Sequence, residues 1–368
     1  MLRPGPQRFA AVTIAMGSLL AACSVGAVPG KESRIKPVRS LPAGAVSIRG
    51  AGATFPSVLY DEWFRRYQDA HPAAAIAYDA VGSGEGVRRF IGRDVKDDDR
   101  VDFGASDAAM RDDEIGMVPQ GALLVPVTAG SVVLAYELPD IPAGLKLSRE
   151  AYVGIFTGAV KNWNDPRIAR TNPGVKLPNL TITTVVRQDS SGTTFAFTKH
   201  LDAVSNAWRA NFGPSTLVNW PGNSMRAVGN EGVAARIKQS EGAVGYLSYE
   251  FARRIGLKIA LLENHAGTFV GPTEGASSAA LAEAELPANM RVYVPDPSGR
   301  DAYPLVTLTW VLLYRTYPDA RKAEELHDLF RWCLTDGQQL AAGLGYVPLP
   351  PAIVQRSLAA LEDVRANP

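Results

Sequence analysis

Cysteine and histidine are scarce in this 368-residue chain, at two and four copies. Two cysteines, Cys23 and Cys333, cannot build a disulfide framework, and neither sits in a paired metal-binding spacing. The histidines, His71, His200, His265 and His327, form no H-E-x-x-H pattern and no nucleophile–base signature. Gly82-Ser83-Gly84 does not complete the G-x-S-x-G elbow of a hydrolase. Metal sites and histidine-based catalysis are therefore not expected. An excess of one charge is missing too: the net charge is +1. No basic stripe interrupts that balance, so nucleic acid is set aside as a partner. A long hydrophobic run is also lacking. The longest, residues 9–22 (FAAVTIAMGSLLAA), falls short of the roughly 20 residues that span a bilayer.

That short run, preceded by Arg3 and Arg8, has the layout of a secretory signal over residues 1–22. Its loss would leave a net charge of −1. It ends in Leu20-Ala21-Ala22-Cys23, which resembles a bacterial lipobox. Small residues admit a signal peptidase, and the Cys23 thiol is the group that can carry diacylglycerol. With Cys23 lipidated no internal disulfide is possible, and Cys333 is expected to be a small buried hydrophobe. Residues 23–45, rich in Pro, Gly and Ser and without a periodic apolar face, read as a flexible tether.

From Val46 onward short β-branched runs alternate with amphipathic stretches. Strands are expected at Val46–Arg49, Ala75–Tyr78, Gly121–Thr128, Val132–Tyr136, Leu180–Val186, Ala243–Leu247 and Leu305–Tyr314. Helices are expected over Pro56–Ala70, Ala234–Gln239, Ala320–Leu334 and Pro351–Leu361. In the first of these, Phe55, Leu59, Trp63 and Tyr67 recur at four-residue spacing. The alternation predicts α/β layers with helices over largely parallel sheets. Residues 264–300 are loop-rich.

Four stretches place small residues and hydroxyls where a helix should begin: Gly50–Pro56 (GAGATFP), Gly82–Gly86 (GSGEG), Asp102–Asp107 (DFGASD) and Arg187–Thr194 (RQDSSGTT). A helix N-terminus leaves backbone N–H groups without partners and carries partial positive charge. Glycines let an anion approach those groups, and Ser and Thr add donors. Arg187 adds one guanidinium whose fork fits two oxygens of a tetrahedral anion. Any one such stretch is more often an ordinary N-cap; several, with Arg187, point to an anion site.

These motifs, with DFGASDA, Asn162-Trp163, Asn172–Pro178, RQDSSGTTFAF and GNEGVAARIKQSEGAVGYLSYEFA, resemble the phosphate-binding receptors of bacterial phosphate ABC transporters from about Ile48 to Leu349-Pro350. The resemblance implies a type II-like, two-lobe periplasmic-binding-protein fold with ligand in a cleft between α/β lobes. Two crossovers would join the lobes, near Ser131–Glu137 and Tyr303–Thr309. One lobe would hold residues 46–133 and 306–368, the other 134–305. Phosphate would be bound by Thr54, Phe55, Ser83, Asp107, Arg187, Ser191, Gly192 and Thr193. No cofactor and no chemistry on the ligand are implied. The implied partners are inorganic phosphate, permease subunits and the membrane through lipid on Cys23, for a monomer outside the cytoplasmic membrane. A surface-anchored phosphate sensor or adhesin without transport, a receptor for another tetrahedral oxyanion, and a phosphatase are the alternatives.

Asp107 carries the discrimination within that reading. Phosphate near neutral pH keeps a proton that an ionised carboxylate can accept, whereas sulfate has none to offer. Asp107 could also serve as a structural partner for Arg187. Two departures from the family pattern bear on the site. Gly84-Glu85-Gly86 stands where the family commonly has Ser-Gly-Gly, which removes one donor and places Glu85, expected to face solvent, one turn from the anion. Ser190 replaces a usual glycine, which would strain the turn if φ were positive there. Asp94–Arg100 (DVKDDDR) is expected to be a solvated loop.

Overall fold

The computed structural model describes residues 44–367. The signal, Cys23 and the tether up to residue 43 lie outside the described residues. No helix among the described residues is long and apolar enough to cross a membrane.

The first half of the chain builds strands β1 (Val46–Gly52), β2 (Ala74–Ala80), β3 (Phe103–Ser106) and β4 (Ala122–Tyr136), with helices α1 (Ser57–Ala70) and α2 (Ser83–Ile91) between them. The second half adds β5 (Thr183–Arg187), α3 (Gly192–Val204), β6 (Ser224–Ala227), α4 (Gly229–Lys238) and β7 (Ala243–Ser248). The chain then returns through β8 (Val306–Tyr314), α5 (Ala320–Leu334) and α6 (Pro351–Leu361). The strands join in the order β2-β1-β3-β8-β4-β7-β5-β6.

The sheet is mixed rather than largely parallel. β2-β1-β3 at one end and β7-β5-β6 at the other are parallel groups, as helical crossovers require. Between them β4 and β8 run antiparallel, because one carries the chain out to the second group and the other carries it back. β4 changes partner midway: Ala122–Ser131 pair with β8, and Val132–Tyr136 pair with β7. The two separate strands expected at Gly121–Thr128 and Val132–Tyr136 are thus one. The small residues between them make no turn. A Cβ on Gly130 would lie 2.8 Å from Phe55 Cζ, so that glycine serves a close approach.

The spacing on α1 is realised as a core face: Phe55, Leu59, Trp63 and Tyr67 are all buried, and Trp63 Nε1 donates to Gly337 O at 2.7 Å. α5 and α6 occupy the expected spans. α4 starts five residues earlier than expected, because Gly229 and Asn230 are recruited into its first turn. In the loop-rich 264–300 region one helix forms, Glu274–Leu281. Cys333 is buried in the core, where burial raises its thiol pKa.

Gly50 lies beneath the Phe103 ring, and a Cβ there would fall 2.0 Å from Phe103 Cζ. Gly50→Ala is therefore expected to overpack the β1–β3 contact and destabilise the fold by roughly 1–3 kcal/mol, read as a lowered midpoint in chemical denaturation.

Candidate functional site

The two parallel groups, β2-β1-β3 and β7-β5-β6, run opposite to each other along the sheet. The turns at the carboxyl ends of β1, β2, β3, β5 and β6 carry the residues of one cluster, at strand ends of the kind where α/β sheets usually bind ligand. β1 leads into Thr54 and Phe55 before α1. Past β2, Gly82 turns with φ 100° and α2 opens on Ser83. Asp107 directly follows β3. Arg187 ends β5, and Ser191 caps α3, its Oγ accepting from Thr194 N–H at 3.1 Å. Beyond β6, Gly229 turns with φ 68° into α4.

The two halves of the sheet meet across this point. Gly192 N–H donates to Ser83 Oγ at 3.0 Å, and Gly84 N–H donates to Ser190 O at 3.0 Å. Asn230 donates to Thr54 Oγ1 through its backbone N–H at 3.2 Å and through Nδ2 at 2.9 Å. Only a glycine allows the α3 approach: a Cβ at position 192 would lie 2.6 Å from both Asp107 Cβ and Ser83 Oγ. Thr54, Ser83, Asp107, Arg187, Ser191, Thr193 and Asn230 are all buried.

The hydrogen bonds share a direction. Thr54 Oγ1 accepts from two Asn230 nitrogens, and Ser83 Oγ accepts from Gly192 N–H and, at 3.3 Å, from Asp107 N–H. Thr193 Oγ1 receives Arg187 Nη1 at 3.5 Å and Asn230 Nδ2 at 3.4 Å. Amide and guanidinium nitrogens in these bonds only donate, so each hydroxyl is an acceptor there and keeps its hydrogen to give. The cluster presents donors.

Arg187 is 2% exposed and forks onto Asp189, with Nε 2.9 Å from Oδ1 and Nη2 on Oδ2. Its structural partner is therefore Asp189, not Asp107. The turn after β5 brings Asp189 back alongside the guanidinium, and Gly229 N–H holds the carboxylate at 3.1 Å. Burial would raise the Asp189 pKa, but the Arg187 fork outweighs it and keeps the group below the usual carboxylate range. Asp107 Oδ1 instead accepts from Thr309 Oγ1 at 2.8 Å. Burial pushes its pKa up to about 7, against the downward pull of the Thr309 hydroxyl and the Arg187 charge. A second buried acid, Glu250, accepts from Ser248 Oγ at 2.5 Å, and burial raises it to about 8.

Of the residues expected to bind the anion, Thr54, Ser83, Asp107, Arg187, Ser191, Gly192 and Thr193 lie together in this cluster. The Phe55 ring belongs to the core, edge-on to Tyr346, and its carbonyl accepts from Tyr346 Oη at 2.7 Å. Of the four motifs, DFGASD opens no helix; Asp107 sits in the turn after β3. Glu85 is held by Arg88 and Arg89 on its own helix, which, Arg88 foremost, lower its pKa to about 2. Ser190 does not take a positive φ, so no strain arises there. Sequence reasoning missed Asp189, Asn230, Thr309 and Glu250. Asp189 lies inside RQDSSGTT, and Asn230 follows a glycine at a helix start, the same signature used elsewhere. Thr309 gave no signal within an apolar strand. An open cleft of about 500 Å³ lined by Arg291, Arg315 and Arg356 shares no residue with the cluster.

A family model described as a PBP superfamily domain matches residues 37–336. The chain is 36% identical over 321 residues to the phosphate-binding protein PstS of Pasteurella multocida (strain Pm70), covering 86% of this chain and 90% of that one. It is 33% identical over 362 residues to the phosphate-binding protein PstS of Methanocaldococcus jannaschii, covering 92% and 91%. Among solved structures it is similar to the high-affinity periplasmic phosphate-binding protein PfluDING bound with phosphate, with a TM-score of 0.72 at 24% identity over 85% and 93% of the two chains. A phosphate-binding protein from Stenotrophomonas maltophilia gives 0.70 at 19% identity over 85% and 93%. At these identities the structural likeness speaks for the fold.

The raised acids set a pH dependence. Between about pH 4 and 7 the unfolded chain releases the Asp107 proton while the folded protein keeps it, so folding stability falls as pH rises through that window. Glu250 adds the same sign up to about pH 8. Thermal unfolding of phosphate-free protein is expected to show this decline, and Asp107→Asn should flatten it below pH 7 while leaving the Glu250 part. An unchanged slope in the variant would refute the assignment.

Proposed function

The chain belongs to the PBP superfamily, among the phosphate-binding PstS proteins, and from that premise we propose that it captures inorganic phosphate between two lobes and delivers it unreacted to an ABC transporter permease. One observation carries the reading: buried hydroxyls are held as acceptors by N–H groups, so their hydrogens remain for an oxyanion. Thr54, Phe55, Ser83, Arg187, Ser191 and Thr193 supply donors through hydroxyls, backbone N–H groups and the guanidinium, while Gly192 lets α3 approach and holds the Ser83 hydroxyl as an acceptor through its N–H. Asp107 is the acceptor.

The change of partner along β4 supports lobes of residues 46–133 with 306–368 and of 134–305, closing by rotation about the β4 and β8 crossings. Closure strengthens each bond by drying the site, and the closed form is the one a permease would recognise. Secretion across the cytoplasmic membrane and a lipid anchor on Cys23 follow from the first 23 residues, and would hold a monomer near that permease.

Asp107 sets selectivity. Phosphate shares a proton with the carboxylate, whereas sulfate would place lone pair against lone pair, at several kcal/mol in a closed cleft. In parallel calorimetric titrations, wild type is expected to bind phosphate and to reject sulfate. Asp107→Asn should narrow that preference more than it weakens phosphate binding, and an unchanged ratio would remove Asp107 from the role. Gly192→Ala, whose Cβ would clash with Asp107 and Ser83, is expected to lower phosphate affinity by at least roughly tenfold by holding the lobes apart. Release of phosphate from a phosphoester by the wild type would instead favour an enzyme.

A further inference from the structure

Asn230 touches a hydroxyl from each half of the sheet. Its backbone N–H and Nδ2 both donate to Thr54 Oγ1, and Nδ2 also lies 3.4 Å from Thr193 Oγ1. Its Oδ1 accepts from Ser248 N–H at 3.0 Å, which fixes which end of the amide carries nitrogen. The side chain is fully buried in the first turn of α4. Just before it, a Cβ on Gly229 would come within 3.3 Å of Thr54 Cγ2, so the two segments are already in close contact.

We propose that Asn230 is a positioning residue that latches the closed cleft across Thr54 and fixes the Thr54 hydroxyl as a donor toward the bound anion. The proposal rests on the phosphate reading and deepens it, since Asn230 acts through Thr54. With both Asn230 nitrogens donating, Thr54 has one hydrogen left and one direction in which to use it. The latch forms only where the two halves meet, so its loss should show mainly as faster release rather than slower capture.

The variants separate these roles. Asn230→Ala removes the side-chain bond. Asn230→Asp keeps the shape but reverses the bond: a carboxylate there accepts the Thr54 hydrogen and adds negative charge beside the anion. Thr54→Val removes the hydroxyl, and Thr54→Ser restores it. Phosphate affinity and release rate are measured by calorimetry and stopped flow for each variant and for Asn230→Ala combined with each threonine variant, alongside thermal unfolding without phosphate. Asn230→Ala is expected to weaken binding by roughly tenfold, mostly through release, and Asn230→Asp by more. In the Thr54→Val background the further loss from Asn230→Ala should fall to about twofold or less, while Thr54→Ser should keep the full effect. Wild-type affinity in both Asn230 variants, or an equal loss with and without the hydroxyl, overturns the proposal. Should wild type bind no phosphate, the phosphate reading falls by itself. The unfolding cycle then decides the latch: coupled shifts of the midpoint support it, and additive shifts overturn it.

Discussion

A hydroxyl group has a single hydrogen, and at Thr54, Ser83 and Thr193 its use is decided by what already bonds to the oxygen. Each oxygen receives N–H donors, from Asn230, Gly192, Asp107 or Arg187, that have no lone pair to offer in return. The three hydrogens are thereby committed outward. A cluster so arranged suits an oxyanion and disfavours a cation or a donor-rich ligand. Much of the local structure exists to keep that polarity, including the glycine turns at 82 and 229 and the bare Cα at Gly192.

Charge is handled with comparable economy. Arg187 sits where water does not reach, and Asp189 neutralises it through two bonds. A lone buried guanidinium would be costly, and pairing within the same turn leaves Nη1 directed toward Thr193. Among the described residues the Asp107 carboxylate has no such fork; it accepts from the Thr309 hydroxyl and feels the Arg187 charge. Its raised pKa is the result, and a carboxylate near its titration point is suited to sharing a proton with a protonated anion. The two acids, one depressed and one raised, are set apart by their neighbours rather than by their chemistry.

The sheet makes this meeting possible. Parallel groups at either end aim their carboxyl ends inward, and the antiparallel β4–β8 pair ties the groups together. Thr309 stands on β8 itself, so the acceptor Asp107 is referenced to one of the two strands that join the halves.

Local pattern determined a good deal. Four-residue spacing marked the buried face of α1, β-branched runs marked most strands, and glycines beside hydroxyls marked the helix starts that converge, because each of these depends on near neighbours in the chain. Asn230 carried the same signature and could have been read in the same way. What the sequence could not settle depends on contacts between distant segments. Whether Ala129–Ser131 turns or extends is decided by the Phe55 ring above Gly130. Whether Arg187 pairs with Asp107 or Asp189 is decided by the turn after β5 and by Gly229 at the start of α4. The direction of the Thr54 hydrogen bond is decided by a residue 176 positions away. Hydrogen-bond polarity and carboxyl pKa belong to the assembled surroundings, and only the tertiary structure supplies those.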